Sequence, residues 1–356
     1  MTADESLPTI SVLMAAFNED EYIEEAVRSV LEETEIPLEL IVVNDRSTDN
    51  TYGILEKIAS TDNRLFIINR ADEASKENVD QNVYFYPDHG YGGQTDALNL
   101  GLRFCRGQYI ARLDADDACM ADRFKIQLEY MVENPDISFL GAGAIRINAE
   151  GCEIGGYHPQ PLVHEDIIAN LNTFRGYCAH SSWLIRAAVY SKLDGYHRRG
   201  FRAEDLDFML RASELENVNF AYIHTPLIRL RMQDGRLSTG LSMLPINHSI
   251  AAVVRHNLRL DGLDVSGLIL EDEINTLIEK RSIYIQLSKC VIGYRAMVNV
   301  FVNFKSRKFT QVFDDLKTLL KFSPMMIFNR NMLSLQKLEV AKYVQASFSA
   351  KIKKDN

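Results

Sequence analysis

The stretch Tyr109-Ile110-Ala111-Arg112-Leu113-Asp114-Ala115-Asp116-Asp117 runs an apolar strand straight into three carboxylates. Strands normally end in turn residues, and a single Asp there is ordinary. Three place like-charge repulsion on a short loop, and a bound cation relieves it. Hard divalent ions take oxygen ligands, often one or two carboxylates plus substrate phosphates, and keep waters in the other positions. The pattern points to a metal that carries a phosphorylated ligand. The competing reading is an Asp-rich turn that caps the next helix, since Asp is favoured at N-caps. On this stretch alone both readings stay open.

A second acidic strand end lies upstream. Leu38-Glu39-Leu40-Ile41-Val42-Val43 is a short apolar run, followed at once by Asn44-Asp45-Arg46-Ser47-Thr48-Asp49. Earlier, Thr9-Ile10-Ser11-Val12-Leu13-Met14 leads into Ala15-Ala16-Phe17-Asn18-Glu19. Between the two runs, Ile23, Ala26, Val27, Val30 and Leu31 recur at spacings of three and four, which predicts a helix. Ile54, Leu55 and Ile58 predict another. Strand, helix, strand, helix reads as βαβ units on a parallel sheet. Ligands of such sheets bind beyond the carboxyl ends of the strands. Ala15 to Phe17, Asp45 and Asp114 to Asp116 all fall at such ends, so three segments point to one crevice.

These residues resemble family 2 glycosyltransferases of the GT-A fold, inverting enzymes that use nucleotide-sugars. The matching pieces are Ser11 to Glu19, Val42 to Thr51, Gly92-Gly93-Gln94-Thr95-Asp96-Ala97-Leu98-Asn99, and Asp114-Ala115-Asp116-Asp117. His180-Ser181-Ser182-Trp183-Leu184-Ile185-Arg186 and Ala203-Glu204-Asp205-Leu206-Asp207-Phe208-Met209-Leu210-Arg211 complete the set. They stand in the family's order over about residues 8 to 232. The implied fold is a mostly parallel Rossmann-like sheet flanked by helices, with a helical C-terminal appendage. Residues 1–240 would form the catalytic domain, nucleotide-binding over about 8–117 and acceptor-binding over about 118–240, and residues 241–356 the appendage.

Phe17 stands where the family usually has Tyr, keeping a stacking face and losing a hydroxyl. Asn44 replaces the first of a frequent Asp pair. The polar, acidic segment at 70–90 resembles an insertion and leaves two candidates for the third strand, Leu65-Phe66-Ile67-Ile68 and Val83-Tyr84-Phe85-Tyr86. The Gln-x-x-Arg-Trp motif of processive members is not evident, which argues for single-sugar transfer.

The resemblance assigns the chemistry. Ala15, Phe17, Glu19, Asp45, Gly93, Asp114, Ala115 and Asp116 would bind the donor. A carboxylate such as Asp45 can accept from a uracil N–H or a ribose hydroxyl. Capping of the next helix is the plainer use of Asp45, though Ser47 or Thr48 would also serve. Asp114 would contact ribose, and Asp116 would hold Mn²⁺ or Mg²⁺ against the diphosphate. Asp205 aligns with the base that deprotonates the acceptor hydroxyl; capping is again the competing use, since acidic residues are favoured at helix starts. Glu204 and His180 are candidates for acceptor binding. Arg231 and Gln233 are candidates for the pyrophosphate, with alternation placing Arg229, Arg231 and Gln233 on one strand face. Trp183 falls inside an apolar run and reads as core. The expected partners are a nucleotide-diphosphate sugar, with UDP favoured, and a saccharide or lipid-linked acceptor.

Composition narrows the alternatives. Hydrophobic residues make up 46% of 356, ample for one large domain with an appendage. No apolar run approaches bilayer-spanning length, and the acidic start Met1-Thr2-Ala3-Asp4-Glu5 lacks the apolar core of a signal peptide. A cytoplasmic location is expected, and five unpaired-looking Cys agree with reduced thiols. The eight His show no zinc-type spacing. Net charge is −10, but residues 300–356 carry 11 Lys and Arg against 4 Asp and Glu. That basic segment is striped by Phe309, Val312, Phe313, Leu316, Leu319 and Leu320. It reads either as a helical appendage packed on the domain or as a peripheral contact with the inner face of an anionic membrane. Nucleic acid ranks below both. A dinucleotide-binding oxidoreductase needs G-x-G-x-x-G after the first strand, which is absent. A nucleotidyltransferase needs a basic Gly-rich loop there, also absent. A non-catalytic nucleotide-sugar binder is disfavoured by the intact Asp116 and Asp205.

Overall fold

The structure, a computed structural model, describes residues 9–71, 83–87, 93–159, 163–171, 178–197, 203–232 and 244–262. Gln233 and the basic C-terminal segment lie outside these residues, so the pyrophosphate assignment of Gln233 and the membrane reading lie outside them too. The chain begins β1 (Ile10–Ala16), α1 (Ile23–Leu31), β2 (Leu38–Asp45), α2 (Thr51–Ala59), β3 (Leu65–Ala71) and β4 (Val83–Pro87). Then follow α3 (Gln94–Leu102), β5 (Tyr109–Arg112), β6 (Ala118–Cys119), α4 (Arg123–Glu133), β7 (Ile137–Ile147) and β8 (Glu153–Tyr157). Next come α5 (His164–Leu171), a 3₁₀ turn at His180–Ser182, β9 (Leu184–Arg186), α6 (Ala187–Leu193), α7 (Glu204–Ser213), β10 (Asn219–Arg231) and α8 (Leu244–Leu260).

One sheet runs β4-β3-β2-β1-β5-β9-β7-β10-β6, with β8 beside β7. The first five strands in that order pair in parallel, as the βαβ reading expects. Both candidate third strands are in the sheet: β3 lies next to β2, and β4 covers its outer edge. β1 and β2 are buried on both faces, as strands covered by helices must be. The stripe Ile23, Ala26, Val27, Val30 and Leu31 is the buried face of α1.

β9 runs antiparallel to both β5 and β7. An antiparallel strand starts where its neighbour ends, so the 3₁₀ turn ahead of β9 sits beside the acidic end of β5. Trp183, which follows that turn, is fully buried, with its ring 4.7 Å from that of Phe139. The apolar cluster under α7 includes Ile250, Val253, Val254 and Leu258 of α8, so packing is continuous past residue 240. Glu214 at the end of α7 adds bonds to His256 (2.6 Å) and Arg259 (2.7 Å) of α8. Among the described residues no helix is long and apolar enough to cross a membrane.

The opposite end of the sheet is closed by a polar knot. Buried Glu39 accepts from Ser11 Oγ at 2.6 Å, and from the Arg106 backbone N–H at 2.8 Å and guanidinium at 2.6 Å. Ser11 Oγ in turn accepts the Gly107 N–H at 2.7 Å. Removing a buried acceptor leaves its donors unmatched at about 1–3 kcal/mol. Glu39→Ala is therefore expected to lower unfolding free energy by about that amount in urea titrations, with the denaturant slope unchanged.

Candidate active site

The carboxyl ends of β2, β1 and β5 lie side by side, in the register Ala16 with Asn44 and Leu13 with Arg112. Past β1 the chain turns through Asn18 at φ 55°, and Asn18 latches the loop after β2. Its Oδ1 accepts the Thr48 N–H at 2.7 Å, and its own N–H donates to Ser47 Oγ at 3.0 Å. The Glu19 N–H donates to Thr51 Oγ1 at 2.8 Å, and the Glu19 carbonyl starts α1 by accepting from Ile23 at 2.8 Å. Ala15 and Ala16 are small, and Phe17 just beyond them is 57% exposed. An aromatic ring left in water at a strand end is a ready stacking face.

Asp45 is buried, and it does not cap α2, which starts after Asn50. Ser47 and Thr48 do not cap it either, since they serve the Asn18 latch. The Asp45 Oδ1 takes Arg70 Nη1 at 2.8 Å and Arg46 Nε at 3.3 Å, and Oδ2 takes the Gly93 N–H at 3.0 Å. Gly93 holds φ 100°, a conformation that side-chain-bearing residues rarely adopt. A carboxylate offers about four acceptor positions, so Asp45 keeps one for an incoming N–H or O–H.

The three carboxylates after β5 have separate uses. Asp114 accepts from Arg112 Nη2, from Gln94 Nε2 at 3.1 Å and from Ser181 Oγ at 2.9 Å. Burial opposes its charge, but Arg112 and the other groups around it together outweigh burial and hold the carboxyl below its usual range. Asp117 is buried, bonded to Ser181 Oγ and to the Arg231 N–H at 2.7 Å. Burial, then Asp116 and Asp114, push it well above the ordinary carboxylate range. None of the three caps α4, whose N-cap is Asp122. The repulsion that suggested a metal is thus relieved at Asp114 and Asp117 by protein groups. Among the described residues no three His, Cys, Asp or Glu side chains converge into a metal cluster. A single carboxylate still fits Mg²⁺ or Mn²⁺, because such ions fill their shells from phosphates and water. Ala115, between the two, is buried.

Arg231 braces this loop. Its Nε donates to the Asp116 carbonyl at 2.8 Å, and its Nη1 to the Ala149 carbonyl at 3.0 Å. Its Nη2 pairs with Glu25 of α1, and its guanidinium lies 4.4 Å from the Tyr22 ring centre. Arg229 pairs with Glu25 as well, at 2.8 Å, so alternation does place both on one face. The Arg231 donors are directed at protein acceptors around the loop.

The remaining candidate carboxylates enter from α7. Glu204 and Asp205 form its first turn, and Asp205 Oδ1 accepts the Leu206 N–H at 2.7 Å. Burial raises both carboxyls. Glu204 is pushed up to about 7, with Asp205 adding to the effect, and Asp205 is raised by burial and next by Asp114. His180 is hydrogen-bonded through Nε2 to the Tyr196 hydroxyl at 2.8 Å. Burial, then Arg112, lowers it well below the usual imidazole range, so it is neutral at physiological pH.

Gln94, Ser181, Arg112, Arg70 and Tyr196 were not assigned from sequence. Arg70 carried a signal, as a cation ending an apolar strand whose parallel register sets it against Asp45. Arg112 carried the same one, at the end of an otherwise apolar strand.

The family model for glycosyl transferase family 2 matches residues 11–194, just over half of the 356. A relative called an uncharacterized glycosyltransferase, from Haemophilus influenzae, is 31% identical over 219 residues, 59% of this chain and 62% of its own. Chondroitin synthase of Pasteurella multocida is 26% identical over 210 residues, 59% of this chain and 19% of its own. The match thus spans less than two thirds of either relative. Among solved structures, S. aureus TarS 1-349 in complex with UDP-GlcNAc superposes with a TM-score of 0.53 at 15% identity, over 96% of this chain and 92% of that one. Mannosyltransferase PcManGT from Pyrobaculum calidifontis, in complex with GDP-Man and Mn²⁺, gives 0.50 at 15% identity, over 96% and 88%. These likenesses carry the GT-A fold, and the family match carries the transferase class. The chain belongs to glycosyl transferase family 2.

Proposed function

We propose that the protein transfers one hexosyl or N-acetylhexosaminyl unit from a nucleoside-diphosphate sugar to an acceptor hydroxyl, with inversion, in the synthesis of a polysaccharide or glycoconjugate. One observation carries the reading: an exposed ring (Phe17), two braced carboxylates with an acceptor position to spare (Asp45 and Asp114) and Asp116 line adjacent strand ends. Stacking suits the base, Asp45 its N–H or a ribose hydroxyl, and Asp114 a ribose hydroxyl. Asp116 would hold the ion. When bound, a divalent ion offsets charge on the leaving diphosphate. Arg231 acts through the Asp116 backbone that it fixes.

Asp205 takes the proton from the acceptor hydroxyl as that oxygen attacks the anomeric carbon from the face opposite the leaving group. One such displacement inverts the centre. Glu204, one residue away, receives another hydroxyl of the acceptor. UDP is the favoured carrier, in line with the ligand of the TarS structure, and Mn²⁺ is the first ion to test, in line with that of the mannosyltransferase. Chondroitin synthase among the relatives supports polysaccharide as the product class.

A thermal-shift screen of UDP-, GDP-, CDP- and dTDP-sugars tests the donor. A ligand at 100 times its Kd adds about 2.7 kcal/mol, an easily read shift. One nucleotide class should stabilise the protein more with Mn²⁺ than without. No shift with any of the four, with or without metal, would end the reading. NMR of the product anomer then tests inversion. We place the reaction in the cytoplasm, and at the membrane face where the acceptor is lipid-linked. Sedimentation with anionic liposomes at low salt, lost on deleting residues 305–356, is the expected outcome; a tail packed on the domain instead gives no sedimentation and a truncated form that melts early.

A further inference from the structure

Asp114 to Asp117 form one tight turn, in which the Asp117 N–H donates to the Asp114 carbonyl at 3.2 Å. Such a turn brings its end residues within about 7 Å and leaves the middle two on the bend. Here the middle residues are Ala115 and Asp116. Ser181 meets both ends. Its Oγ accepts the Asp114 N–H at 3.1 Å, and lies 2.9 Å from Asp114 Oδ2 and 2.5 Å from Asp117 Oδ2. A hydroxyl offers one proton and two lone pairs, and three partners exhaust them. Ser181 has no exposed surface, so the whole capacity of this hydroxyl is directed at the turn.

A buried serine in a 3₁₀ turn could simply cap its own chain, but Ser182 does that. The Ser182 N–H and Oγ both donate to the Ala179 carbonyl, at 2.9 and 2.7 Å. Ser182 also anchors the segment from outside. Its Oγ accepts the Ala142 N–H of β7 at 3.1 Å, and its carbonyl accepts from Gln127 of α4 at 2.8 Å. The next carbonyl, of Trp183, accepts the Arg112 N–H at 3.0 Å. Ser181 is therefore a fixed post beside the turn. Arg112 and Gln94 take Asp114 Oδ1, and Ser181 takes Oδ2 together with the backbone N–H. The second acceptor position of Oδ2 is then the one aimed by Ser181.

We propose that Ser181 is a positioning residue of the donor site: its hydroxyl staples the two ends of the turn, and so fixes both the Asp114 carboxylate and the bend that carries Asp116. The role rests on the donor reading, in which Asp114 meets ribose and Asp116 the ion. It comes from a segment 64 to 67 residues further along the chain, in the half assigned to the acceptor.

Isothermal titration of UDP and of its 2′,3′-dideoxy analogue, each with and without Mn²⁺, tests this on the whole chain. Two ratios result, the gain in affinity from the ribose hydroxyls and the gain from the metal. A smaller competent fraction scales all four affinities alike and leaves both ratios in place. A displaced turn lowers the ratios themselves. In S181A the Mn²⁺ gain should fall about tenfold, the low end for a group that supports a metal ligand. The ribose gain, about tenfold or more in wild type for a bond to a charged group, should fall severalfold. S181C keeps the volume and replaces the hydroxyl with a weak thiol, so both ratios should fall there too. Either ratio unchanged in S181A, or wild-type ratios in S181C, would overturn the proposal. Should S181A fail to fold, S181C decides; failure of both to fold makes Ser181 a packing residue and also overturns it. Failure of the donor reading shows separately, as wild-type protein in which UDP gives neither ratio, and the proposal falls with it.

Discussion

Asp205→Asn is expected to lower turnover by ~10²–10⁴ while sparing donor affinity, the range for loss of a general base. The substitution keeps the size of the side chain and the oxygen that accepts the Leu206 N–H, so the first turn of α7 survives. Only the proton acceptor is lost. Single-turnover rates and donor titrations together separate this from a folding defect. Transfer at the wild-type rate in Asp205→Asn, with loss in Glu204→Gln, would reverse the two roles.

The pH dependence follows from the same pair. A base must be deprotonated to act, so raising its midpoint moves the acid limb of kcat/KM toward neutrality. Burial raises Asp205, and burial with Asp205 as neighbour brings Glu204 to about 7. Activity is thus expected to climb with pH through a limb above the ordinary Asp range, and near 7 where Glu204 must also be charged. The two carboxyls titrate as a pair, and the limb reports both. A flat profile from pH 5 to pH 8 would exclude Glu204, at about 7, from the ionisations that turnover requires.

Much of the fold was legible because its signals are local and periodic. The apolar stripe of α1 was readable residue by residue, and the acidic ends of β2 and β5 gave the binding edge of the sheet. Parallel pairing then followed from the alternation of strands with helices. What stayed hidden depends on contacts between distant segments. Asp45 is read locally as a cap or a ligand; only the pairing of β2 with β3 shows that Arg70 braces it. Arg231 is read as a cation for phosphate; the pairing of β10 with β6 and β7 sets its donors against the loop after β5. His180 lies in a 3₁₀ turn before an antiparallel strand, and only that pairing shows that it reaches the same edge by the opposite route. Three adjacent Asp were read as one metal signal, and their division of labour required Ser181 from 64 residues further along the chain.

Asp116→Ala is the second large effect, and it tests that division. If Asp116 holds the ion, the substitution should remove the gain in UDP affinity that Mn²⁺ confers, by at least about 10–100-fold, the range seen even for groups that merely support metal ligands. Uridine, lacking phosphates, should bind the variant and the wild type alike. Asp117→Asn is the control. Asp117 is buried, its carboxyl is held above the ordinary range, and Asn keeps an oxygen for the Arg231 N–H, so the substitution should leave the Mn²⁺ gain in place. Isothermal titration of UDP and uridine, with and without Mn²⁺, reads all four quantities. Equal Mn²⁺-dependent gains in Asp116→Ala and wild type would remove Asp116 from the ion. A gain lost in Asp117→Asn but kept in Asp116→Ala would move the ion inward to the buried carboxylate. Either result would also withdraw the brace role of Arg231, because its bond to the Asp116 carbonyl matters to binding only if the Asp116 side chain does.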